Sequence, residues 1–223
     1  TALGNQAQAT GTSSFAFGKS TIASGASSIA IGDGAKATQS NALSFGQSAY
    51  ATGAQSMALG FSSITYSQYA TAMGYSTYAT GISSTAMGSK SIAQGESSTA
   101  MGDQAYAQGK YSIAGGHQSK SYETSATAIG DQSNAWGKYS IAGGYKSLTA
   151  GEGSVALGYN DSATVSGSTA MGYMSKATNL AAVAMGYKAQ APGYYAASIG
   201  ANTLAQGSGS SAFGSATKAI GNY

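Results

Sequence analysis

The sequence predicts an all-β solenoid built from 14-residue rungs, each carrying two short strands. Three observations carry this. Glycine recurs at every seventh position from 4 to 221 and fills 27 of 32 slots; the alternate slots, from Gly4 and Gly18 to Gly214, are glycine in 16 of 16. Between glycines, small and bulkier residues alternate with period 2, the pattern of a strand. No 3.6-residue period survives, and glycine at every seventh position would cost a helix ~1 kcal/mol each time. A repeat this strict means that each rung contacts only its neighbours, so function resides on ladders of equivalent positions.

The segments Ser27–Ser40 (SSIAIGDGAKATQS) and Gly153–Ser166 (GSVALGYNDSATVS) show the elements in order. The first half reads small-apolar-Ala-apolar-Gly, a strand of five residues and about 16 Å. Glycine ends it because it takes positive φ or admits close backbone approach. Two residues then make a turn. The second half reads small-x-Ala-x-Gly, with x polar or aromatic, and gives a second strand and a second turn. Rungs stacked ~4.8 Å apart would make one continuous rod of about 75 Å over residues 1–223.

The small columns belong inside. Two residues before the invariant glycine stands Ala in 14 rungs, with Ser44 and Ser198 in the others. The equivalent place in the second strand is Ala in 13 rungs, with Thr65, Ser121 and Thr149 as exceptions. A coil of 14 residues has no room for more. The bulkier residues of the first strand then point outward: Phe15, Phe17, Ile29, Ile31, Phe45, Met57, Leu59, Met73, Met87, Met101, Ile113, Ile129, Ile141, Val155, Leu157, Met171, Val183, Met185, Ile199 and Phe213. A soluble monomer does not carry so large an exposed apolar stripe, so the stripe predicts self-association through the first sheet. The competing reading makes the stripe the chain's own core and turns the alanines outward. Outward positions of the second strand, among them Lys36, Tyr50, Tyr78, Tyr106, Lys120, Asn134, Lys176 and Gln190, are expected to face solvent.

Composition narrows the function. All ten basic residues are Lys, and the net charge of +3 is too small and scattered for nucleic acid or an anionic membrane surface. There is no Cys, hence no disulfide or thiolate chemistry. No apolar run is long enough to span a bilayer as a helix. Disorder is argued against by the fixed period and the regular apolar columns. No terminal cap is visible, which predicts that 1–223 is one segment of a longer fibre.

The segments SIAIG (Ser28–Gly32), SVALG (Ser154–Gly158) and the repeated STAMG, each followed by x-x-small-x-Ala-x-Gly, resemble the YadA-like head domain of trimeric autotransporter adhesins. The resemblance covers the whole chain. It implies a left-handed parallel β-roll, a homotrimer with the apolar stripe in the shared core, no cofactor, and exposure on the outer membrane of a bacterium. It implies as partners host extracellular-matrix proteins, cell-surface glycans or other bacterial cells. SIAGG (Ser112–Gly116 and Ser140–Gly144) departs from the pattern, and Gly115 and Gly143 should thin the trimer core there.

Catalytic chemistry finds little support. His117 is the only His, with Asp103 one rung before it and Asp131 one rung after, which reads as a surface charge ladder. Asp33, Glu96, Glu123, Glu152 and Asp161 are scattered, without a pair placed for acid–base work, and no serine has a base beside it. Two aromatic columns are the candidate ligand surface. Tyr145, Tyr159, Tyr173 and Tyr187 follow the invariant glycine on four successive rungs, and Tyr122 and Trp136 occupy neighbouring rungs of a second column. Both columns could also simply stack on themselves. A non-enzymatic, multivalent adhesive head is the leading reading; the alternatives are a spacer in a surface or phage tail fibre, an ice-binding solenoid using Thr71, Thr85 and Thr99, and a tail-spike glycosidase.

Overall fold

The structure, a computed structural model, describes residues 1–223, all of them in coils of two strands and two turns. The chain divides into two compact units, Thr1–Tyr111 and Ser112–Tyr223. In the first unit one sheet runs from Ala2–Leu3 to Thr99–Met101 and the other from Gln8–Ala9 to Tyr106–Ala107, every strand pairing in parallel with the strand one coil on. In the second unit the sheets run from Ile113–Gly115 to Ser211–Ser215 and from Lys120–Ser121 to Lys218–Ala219. Register is set by the repeat: Ala72 pairs with Ala86, Met73 with Met87, Tyr159 with Tyr173, always 14 residues apart. The fold is a parallel β-solenoid with eight coils in each unit.

The strands are shorter than the alternation suggests. Second-sheet strands hold two residues each, such as Ile64–Thr65, and first-sheet strands mostly three or five. The chain turns out of the ladder as soon as it reaches the second-sheet glycine. Thr10 and Gly11 both donate to Ala23 O, at 3.0 and 3.3 Å, which marks the end of regular pairing.

Both alanine columns are sealed: Ala16, Ala30, Ala37, Ala51, Ala72 and Ala86 in the first unit and Ala142, Ala156, Ala163 and Ala177 in the second are fully buried. The interior is therefore made of alanine and short hydroxyl side chains, and the reading that placed the bulky stripe inside is excluded. Most exceptions in the columns bring partners with them, whereas the buried Ser121 hydroxyl has none. Thr65 Oγ1 donates to Ser56 Oγ at 2.8 Å, Thr149 Oγ1 to Ser140 Oγ at 2.9 Å, and Ser198 Oγ to Thr203 Oγ1 at 2.7 Å. A buried hydroxyl is tolerated when it is hydrogen-bonded. Asp161 takes a place that is otherwise Ala, Ser or Thr. Its buried carboxylate accepts from Gly172 N at 2.8 Å and from Ser175 N and Oγ at 2.7 Å each, so the next coil satisfies it.

The two glycine sets differ physically. The invariant set has φ from +101° at Gly144 to +141° at Gly158, a region that only glycine occupies without strain. The second set, such as Gly81, has ordinary φ and is small because its Cβ would press on the backbone of the next coil. The five substitutions Gln39, Ser67, Glu123, Val165 and Asn179 all fall in this second set. A further requirement was not read from the sequence. The residue two after each seventh-position slot, except the last, lies in the left-handed region whether or not the slot holds glycine, and 27 of these residues are not glycine, with φ between +48° at Ala181 and +59° at Tyr69. Positive φ at this turn position is the type II geometry, in which Ala7 N donates to Gly4 O.

Candidate functional site

The first sheet presents the apolar stripe to the outside. Every residue assigned to it is exposed or half-buried, and none is buried: Phe17 is 46% exposed, Met87 37%, Ile129 54% and Phe213 60%. The strand periodicity forces this, because the alternate residues of each strand are the sealed alanines. At the two SIAGG segments the neighbouring coil leans over the gap. A methyl group on Gly143 would lie 2.7 Å from Leu157 Cδ2, and one on Gly115 would lie 3.8 Å from Ile129 Cγ1.

The outward column of the second sheet is less wet than its composition suggests. In the first unit Tyr50, Ile64, Tyr78, Ile92 and Tyr106 alternate on successive coils in direct register, and all are half-buried by one another. Lys36 adds its ammonium 5.0 Å from the Tyr50 ring centre.

The tyrosine ladder of the second unit is formed as the column arithmetic requires. Tyr145, Tyr159, Tyr173 and Tyr187 stack with ring centres 4.9, 4.7 and 5.3 Å apart and planes within 25° of parallel. Lys146 and Lys188 lie over the Tyr145 and Tyr187 rings, at 5.0 and 5.1 Å. Ring faces are thus largely spent on one another and on lysine, and the ladder offers partners its edges and hydroxyls. Hydrogen bonding to Tyr145 holds the Lys146 amine above its ordinary value of 10.5. In the first unit Phe61 and Tyr75 occupy the same post-glycine column and stack at 5.3 Å, a pair findable by extending that offset.

The second aromatic column behaves differently. Tyr122 and Trp136 meet edge to face, with ring centres 5.5 Å apart and planes 72° apart. Together with Glu123 they line an open cleft of about 300 Å³. Trp136 is 55% exposed. Glu123 is one of the scattered carboxylates of the sequence and one of the five residues that replace glycine in its slots; a charge in such a slot beside the aromatic column is the signal that marks it.

Some of the remaining charged groups form short surface pairs. His117 Nδ1 lies 2.7 Å from Asp131 Oδ1. Lys110 Nζ lies 2.9 Å from Glu96 Oε2, and hydrogen bonding to Glu96 and then to Tyr111 raises its amine above 10.5.

Comparison with known families agrees with this geometry. The model described as YadA head domain repeat (2 copies) matches residues 1–21, 23–49, 37–63, 66–91, 93–119, 123–147, 144–160, 166–189 and 177–203. No curated protein matches the chain significantly. YadA heads are adhesin-type domains of surface-exposed trimeric autotransporters, a family in which homotrimeric association is implied. A glycine frame without slips, an interior of alanine, an outward apolar stripe and family matches along nearly the whole chain lead to one conclusion: this chain belongs to the YadA head domain family.

Proposed function

We propose that this chain is a non-enzymatic adhesive head segment on a bacterial surface fibre anchored at the outer membrane. Three copies pack their apolar stripes together, from Phe15 and Phe17 through Met73, Met87 and Met101 to Ile199 and Phe213. The remaining faces carry the aromatic columns outward to host extracellular-matrix proteins, cell-surface glycans or other bacterial cells. Residues 1–223 form one head segment of a longer fibre. Repetition supplies the mechanism: weak contacts multiplied over three chains and many coils act together as avidity.

The observation that carries this reading is the exposed tyrosine ladder, with Tyr159 43%, Tyr173 41% and Tyr187 47% exposed on successive coils. Tyrosine edges and hydroxyls suit recognition, because the ring loses little conformational entropy on contact. The test is binding of the purified segment to immobilised matrix proteins, a glycan array and bacterial cells, with a Tyr159→Ala/Tyr173→Ala variant alongside. Loss of binding in the variant supports the reading; undiminished binding moves the contact elsewhere.

A second reading, a spacer in the fibre, is favoured by the mutual stacking of the same four rings, which rigidifies the edge without needing a partner. It predicts no binding to any of these surfaces and a lower melting temperature in the double variant.

A further inference from the structure

The Tyr122–Glu123–Trp136 cleft differs from the tyrosine ladder in one chemical respect. The ladder's rings lie face to face, whereas Tyr122 and Trp136 stand at 72° and form two walls of a corner. Glu123 supplies a carboxylate at the same opening. That carboxylate makes no side-chain hydrogen bond or ion pair within the protein, unlike Glu96 and Asp131, which hold Lys110 and His117. An unpaired anion beside two aromatic rings makes a region of negative potential over an apolar surface. A rounded, weakly hydrated cation satisfies both features at once. Tryptophan is the strongest of the aromatic partners for such a group. A pyranose ring fits less well, since its C–H face wants one flat aromatic surface and its hydroxyls several hydrogen-bond partners around the rim. A cleft of about 300 Å³ is at the small end of ligand sites, so it suits a head group rather than a large molecule.

We propose that this corner binds a quaternary-ammonium group of the choline type. Trp136 and Tyr122 surround the methyl groups, and Glu123 supplies the counter-charge. The site is complete within one unit of a single chain. The proposal goes beyond adhesion to matrix or cells and stands or falls separately, because its test needs neither a trimer nor a host surface.

Trp136 is the only tryptophan in the chain, so its fluorescence reports on this cleft alone. The experiment titrates the intact chain with choline chloride and tetramethylammonium chloride. Sodium chloride, methyl glucoside and the uncharged choline isostere 3,3-dimethylbutan-1-ol serve as comparisons. The expected result is a saturable change with both quaternary ions in the millimolar range, and none with the salt, the sugar or the isostere. Saturation by the isostere or the sugar, or no saturable change with choline, overturns the proposal. Phosphocholine is titrated in parallel. Binding equal to that of choline assigns a phosphate-linked head group as an acceptable source, and weaker binding assigns free choline; either supports the quaternary-ammonium assignment. Glu123→Gln places in this slot the residue that Gln39 already places in an equivalent one, so folding is preserved. It should weaken choline binding about fivefold. Tyr122→Thr, which repeats Thr38 and Thr52 of the same column, should weaken it similarly. Unchanged affinity in both variants refutes the assignment.

Discussion

Replacing Met73, Met87 and Met101 by Lys tests whether the stripe is the assembly surface. The three side chains sit on successive coils of the first sheet and are 38%, 37% and 43% exposed in the single chain. Full burial of a methionine is worth about 1.5–3 kcal/mol, so covering the remaining two-fifths contributes about 1 kcal/mol per side chain. Over the nine side chains of a trimer that is about 9 kcal/mol, or roughly six decades in the dissociation constant. Charge burial by lysine adds to the loss. The assay is sedimentation velocity over a micromolar dilution series. Wild-type chain should sediment as a trimer and the triple variant as a monomer. Lysine placed instead at Thr80, Gln94 and Gln108, each just past a second-sheet strand, should leave the trimer intact. A triple methionine variant that dissociates no more readily than wild type would refute the reasoning, as would a wild-type monomer that binds no hydrophobic dye.

Three further outcomes follow from the coil itself. Gly74→Ser puts a side chain at φ +129° and against Gly88 O of the next coil, and should destabilise by about 3 kcal/mol; Gly81→Ser keeps an ordinary φ but sets its Cβ against Gly95 O, and should cost about 1–2 kcal/mol; thermal denaturation compares them. Asp161→Ala removes the acceptor for Ser175 N and Oγ and should cost about 2–3 kcal/mol, while Ser162→Ala, on the outward side of the same strand, should stay within ~0.5 kcal/mol in the same melt. Ala181→Gly relieves a left-handed alanine at φ +48° and should stabilise by about 0.5–1 kcal/mol, read as a raised melting temperature.

What the sequence showed and what it hid divide along physical lines. The inside and outside of the first sheet were legible because a strand alternates strictly and only alanine fits between two sheets so close, so Ala72 and Met73 could be assigned from position alone. Invariance at Gly74 and tolerance at the Gly81 slot were visible as a pattern, but the cause was not. Both sets are crowded by the backbone of the next coil, the invariant set is held by its backbone angle as well, and both read as glycine. The left-handed residues were hidden because Ser, Gln, Lys and Tyr all adopt that turn under tertiary constraint; only Gly34, Gly153, Gly167 and Gly209 marked it. Asp161 was hidden because two of its three donors are backbone N–H groups, which carry no sequence signature, and the third is one more serine in a column of small residues. The corner at Trp136 depends on ring orientation, and a column gives proximity without angle.

The interior of alanine and hydroxyls has a consequence for how such a chain changes over time. Because each coil meets the next through nearly interchangeable small side chains in fixed register, excising or duplicating any 14 consecutive residues rejoins surfaces that already match. Unequal recombination between repeats can therefore add or remove a storey without a misfolded intermediate for selection to reject. Coils with private partnerships, such as Asp161 with Ser175, are the ones that must be inherited together.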